Sequence, residues 1–135
     1  MRMAALYLIG RILFAMIFIM SGLNHFMKLE AMSQYAASQK VPVPKLAVAV
    51  TGLMLLAGGA SILFGVEPQA GVGLLVLFLV PAAFWMHRFW GLQDPMMAAN
   101  QRAHFMKNIA MAGAALLIYY FTTLHPEAWV LSVGR

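Results

Sequence analysis

The sequence has no cysteine. A disulfide, a thiolate metal site and a thiol redox relay are thereby excluded within this chain, and any electrons it handles must sit on a bound ligand or a partner. Charge is also scarce. Only 10% of the residues are Asp, Glu, Lys or Arg while 63% are hydrophobic, whereas soluble domains carry about 25% charged residues. A water-soluble surface cannot be built from this composition. Little length is left over once the apolar runs are set aside, and no internal repeat is visible. The first run also lacks the A-x-A pattern of a cleaved leader: Ser21-Gly22-Leu23-Asn24-His25 stands there instead, and Arg11 interrupts the run itself. It is expected to be retained as a span.

What is present is a set of four apolar stretches, Met3–Phe26, Leu46–Val66, Ala70–His87 and Asn108–Leu124. A hydrocarbon core about 30 Å thick takes about 20 helical residues to cross. The expected architecture is all-α, a single integral-membrane domain over residues 1–135. It is a four-transmembrane-helix bundle with a short interfacial helix in each of its two longer loops. The first interfacial helix lies between Lys28 and Lys40, where Leu29, Met32, Tyr35 and Ala36 recur at helical spacing. The second starts at Asp94-Pro95, an N-cap and first-turn proline, and runs toward Arg102. Val41-Pro42-Val43-Pro44 cannot continue a helix and reads as a rigid elbow. Gly65-Val66-Glu67-Pro68 makes a tight turn between spans two and three, and Pro81 is expected to kink span three.

The net charge of +5 and pI near 10.0 would suggest nucleic acid in a soluble protein. Between membrane spans, basic residues instead set topology and touch anionic headgroups of the lipid bilayer, so no nucleic-acid partner is expected. Lys28, Lys40, Lys45, Arg88, Arg102 and Lys107 fall on the side of the two longer loops, with Arg2 and Arg135 on the other. The positive-inside rule then puts both loops in the cytoplasm and both termini outside.

Polar chemistry is confined to two places. On span one, Arg11, Ala15, Phe18, Gly22 and His25 recur at steps of four and three and share one helix face. An arginine at this depth is costly, so Arg11 is expected to face inward or snorkel, with Glu67 as its counter-ion. At the opposite end Asn24 and His25 close span one, His87, Arg88 and Trp90 close span three, and His104, Lys107 and Asn108 open span four. A metal centre is not expected, because the nearest carboxylates, Glu30 and Asp94, lie in loops without a helical Glu-x-x-His pairing. Imidazole, ammonium and amide groups do suit the oxygens of a small polar or quinone-like headgroup, and histidine exchanges protons near neutral pH. The candidate ligand-binding residues are Arg11, Asn24, His25, His87, Trp90, Lys107 and Asn108. Taken singly, each is also an ordinary topology anchor or packing device.

The chain resembles the DoxX family of small four-span bacterial membrane proteins. The resemblance rests on Arg11, the Ser21-Gly22-Leu23-Asn24-His25-Phe26 exit, the Val41-Pro42 elbow, His87-Arg88-Phe89-Trp90, and Phe105-Met106-Lys107-Asn108-Ile109-Ala110, and it covers nearly the whole chain. It implies a multi-pass protein of the bacterial inner membrane, linked to redox processes, with a quinone as ligand and a membrane redox protein as partner. One relative is the membrane part of a thiosulfate:quinone oxidoreductase; no catalytic set matches here, so that reaction is not carried over. Two readings stand at this point: a redox-associated subunit holding a quinone-like ligand, and a non-catalytic structural or accessory protein. Homo-oligomers fit either. A small transporter is disfavoured, because no polar pathway runs across the spans.

Overall fold

The computed structural model describes residues 2–129; Arg135, assigned above to the outer side, lies outside them. Five α-helices follow one another, α1 (Arg2–Met27), α2 (Leu29–Ser38), α3 (Pro44–Phe64), α4 (Pro68–Met86) and α5 (Pro95–Leu124), before a 3₁₀ turn at Pro126–Ala128. No strand occurs among the described residues. Helices α1, α3, α4 and α5 are long and apolar enough to cross a membrane.

Local chemistry explains the boundaries. Each of α3, α4 and α5 opens on a proline, which has no amide proton to leave unpaired and a φ already helical. Asp94 caps α5 by accepting the Met96 N–H at 3.0 Å. Val43 and Glu67, both with φ 45, turn left-handed just before α3 and α4, and Gly65 does the same with φ 69 after α3. Those left-handed residues reverse the chain sharply. The Ser61 hydroxyl ties the α3–α4 turn to its helix at the Val66 and Glu67 carbonyls, 2.5 and 3.0 Å away.

The second short helix expected in the long loop is not a separate element. Its residues form the first turns of α5, which runs unbroken from Pro95 to Leu124. The reason is that Asp94-Pro95 starts a helix and nothing stops it: no glycine or proline occurs between Met96 and Ala112. The first loop does hold a short helix, α2, which lies against α3 with Ser33 and Ala36 buried. Helix α4 continues through Pro81, whose ring deprives the Leu77 carbonyl of its usual donor.

Helix α3 is the hub, with α1 on one side and α4 on the other, and α5 packs against α4. Glycine permits the close approaches. A Cβ at Gly22 would stand 3.0 Å from the Gly52 carbonyl oxygen, and one at Gly58 would stand 3.2 Å from that of Gly71. Leu55, Ile62, Leu75 and Leu79 fill the centre. The outer faces are apolar too, with Leu6, Leu13, Met20, Leu77 and Leu117 all well exposed. Such a surface is stable against lipid and untenable in water.

Candidate functional site

At the end of the bundle that carries the two longer loops, the helices part around a cavity of about 590 Å³. All five helices contribute walls. Most of the lining is apolar and adaptable, including Met32, Met54, Met86 and Met111 beside Phe18, Leu55 and Phe78. The polar lining consists of Ser21, His25, Lys28, Tyr35, Thr51, His87, Lys107 and Asn108, with no carboxylate among the lining residues.

Of the seven candidate residues, His25, His87, Lys107 and Asn108 meet in this cavity. Asn24 does not; it is exposed on the outer side of α1. Trp90 is 50% exposed and packs in an aromatic cluster with Phe84, Phe89 and Phe105. Arg11 lies at the far end of the bundle, where it is 1% exposed. Its Nε donates to the Ile62 carbonyl at 3.1 Å, a terminal nitrogen donates to the Leu63 carbonyl at 2.8 Å, and the guanidinium lies 4.2 Å from the Trp129 ring centroid. The expected ion pair with Glu67 does not form. Arg11 is level with the last turn of α3, whose carbonyls have no intrahelical donor and so compete successfully for the guanidinium.

The histidines are held through Nδ1. In His25 that atom lies 2.8 Å from the Ser21 carbonyl oxygen, and in His87 it lies 3.0 Å from Oε1 of Gln101. His87 stacks on His104 with ring centroids 5.1 Å apart. Asn108 is 5% exposed, yet among the described residues its amide has no hydrogen-bond partner. It is also not sealed away like the Tyr7 hydroxyl; it opens on the cavity.

Sequence reasoning missed the part of α2. This helix walls the cavity and is fastened across it: the Tyr35 hydroxyl donates to the Met86 carbonyl at 3.0 Å, and Trp85 Nε1 donates to the Gln39 carbonyl at 2.9 Å. An aromatic residue on a short loop helix facing another at the end of a span is a weak signal that could have suggested this. Thr51, set among apolar residues in the first half of α3, was a clearer one.

His87 caps α4 just beyond the end of that span. Burial holds its imidazole below the ordinary value of 6.5; the Gln101 bond opposes this, and the neighbouring His104 and Lys107 reinforce it. The folded protein therefore favours the neutral ring. The stability this contributes is complete above the ordinary histidine range and is lost as pH falls through the lowered value. The melting temperature in detergent should drop on acidification below pH 6.5, and drop less in a His87→Phe variant.

Among the described residues no three His, Cys, Asp or Glu side chains stand together as metal ligands. The fold and site define a multi-pass helical membrane protein with a polar-tipped, apolar-walled chamber. The DoxX family model matches residues 6–88, and the chain belongs to the DoxX family. It is 30% identical over 113 residues to inner membrane protein YphA of Escherichia coli (strain K12), covering 84% of this chain and 80% of that relative. No solved structure matches it. The family match ends at Arg88, before the helix that supplies Lys107 and Asn108.

Proposed function

We propose that this DoxX-family protein is a redox-associated subunit of the inner membrane, holding a quinone-like, lipid-soluble ligand in the chamber and working with a partner protein. One observation carries the reading. A buried amide that nothing meets costs about 1–3 kcal/mol, and Asn108, 5% exposed, opens without a hydrogen-bond partner among the described residues onto a largely apolar space beside His25, His87 and Lys107. A ligand with an oxygen-bearing head and a greasy body would satisfy the amide and fill the space. The name of the relative YphA supports the inner membrane as the location.

Mass spectrometry of small molecules co-purifying from native membranes tests this. One apolar species should be retained by the wild type and depleted about tenfold or more in Asn108→Leu, His87→Ala and Lys107→Ala variants, the size expected for losing one or two buried hydrogen bonds. Retention by all three variants, or an empty wild type, would count against a ligand.

The contacts of Arg11 favour the structural reading for that residue alone, since it stitches α1 to α3 far from the chamber. Orientation is proposed from lysine and arginine placement, with both longer loops cytoplasmic. Because the chain has no native cysteine, single cysteines can be read without background. Cysteine at Lys40 or Arg102 should be shielded from an impermeant thiol reagent in intact cells, and cysteine at Glu67 should be labelled. Labelling of Lys40 and Arg102 positions from outside would reverse the topology.

A further inference from the structure

The two histidines of the chamber have a fixed hydrogen-bonding polarity. The Ser21 carbonyl facing Nδ1 of His25 can only accept, so Nδ1 carries the ring proton. In the neutral ring, Nε2 is then a bare lone pair, and none of the described residues donates to it. His87 reaches the same state through a relay. Tyr35 gives its hydroxyl proton to the Met86 carbonyl, and its oxygen therefore receives from Nε2 of Gln101 at 3.4 Å. That contact turns Oε1 of Gln101 toward Nδ1 of His87, which must donate in turn. The stacked His104 and the nearby Lys107 disfavour a second proton on this ring. Two imidazole acceptors, without donors among the described residues, thus border the same largely apolar space.

A quinone head presents carbonyl oxygens only, and would set lone pair against lone pair at both rings. A hydroquinone or other phenol presents O–H donors. Lys28 and Lys107, exposed on flexible stems, and the buried Asn108 amide can donate to a quinone carbonyl; the amide also carries an acceptor oxygen and serves a hydroxyl equally, whereas the histidine Nε2 atoms serve only a donor. Resting on the quinone-like reading above, we propose that the chamber takes its ligand in the reduced, hydroxyl-bearing form, as an apolar-tailed hydroquinone or phenol whose O–H donates to a histidine Nε2.

The test uses the full chain in lipid nanodiscs under anaerobic conditions, with quenching of Trp85 fluorescence as the readout. Three probes sharing one short alkyl tail are compared: a benzohydroquinone, the corresponding benzoquinone and the dimethyl ether of the hydroquinone. The hydroquinone should bind about tenfold more tightly than either of the others, as expected for one buried hydrogen bond made against one refused. A His87→Phe variant, which keeps a ring against His104 without the lone pair, should shrink the preference; if it fails to fold, the wild-type ratio still decides. Quinone or ether binding as tight as hydroquinone binding overturns this inference and leaves the quinone-like reading standing. Failure of all three probes to bind overturns that reading and this one with it.

Discussion

Arg11→Ala is expected to destabilise the protein by about 2–4 kcal/mol, through two orphaned carbonyls, one buried and one partly so, and an unfilled gap. The substitution strips the Ile62 and Leu63 carbonyls of their donors and uncovers the Trp129 ring. Arg11→Lys should recover only part of the loss, because a single ammonium cannot span both carbonyls while lying flat on an indole. The measurement is the melting temperature in detergent, taken alongside the content of co-purified ligand. Stability should fall while ligand content per folded molecule stays level, since Arg11 does not line the chamber. An Arg11→Ala protein that melts like the wild type but loses its ligand would show that the arginine serves binding instead.

The second large effect is at the glycines. A Cβ on Gly52 would stand 2.8 Å from the His25 Cβ and 2.9 Å from a ring carbon of Phe26, and one on Gly71 would stand 2.5 Å from the Ser61 Cβ. A Cβ is the root of a side chain and cannot rotate aside, so the helices themselves must separate. Gly52→Val and Gly71→Val should each cost about 1–3 kcal/mol or more, the range for overpacked interiors. They should differ in kind. Gly52 sits against a chamber histidine, so its valine variant should lose the proposed ligand as well as stability; Gly71 sits at the other end and should cost stability alone. Gly113, with nothing within 4 Å of a built Cβ, is the control. Gly113→Ala should be neutral or stabilising by up to about 1 kcal/mol, and a large loss there would show that a generic helix effect explains the other two.

How much of this could be read beforehand varies with the physics involved. Helix-face arithmetic worked on α1: the residues grouped as one face, Arg11, Ala15, Phe18, Gly22 and His25, are its buried residues. Chain topology was enough to bring His25, His87, Lys107 and Asn108 to one end, where they line a common space. The partner of Arg11 was not legible, because composition shows acids and hides backbone carbonyls, and the last turn of α3 offered the better ligand. Gly58 and Gly71 escaped notice for a related reason. A glycine among alanines becomes a contact only when the neighbouring helix is in position. The extent of α5 was misjudged because its start signal is strong and its stop signal is absent, so the short helix expected from Asp94-Pro95 and the span after it form one continuous rod.

That unbroken helix has a mechanical meaning. Thirty residues at 1.5 Å each give a rod of about 45 Å, roughly 15 Å more than the hydrocarbon of a bilayer. The surplus lies at the loop end, with Arg102 over the Phe89 ring, and only one to two turns separate it from Lys107 and Asn108. No joint interrupts the rod there. The overhang and the chamber wall at Lys107 and Asn108 are therefore two stretches of a single helix, and anything that displaced the one would bear on the other.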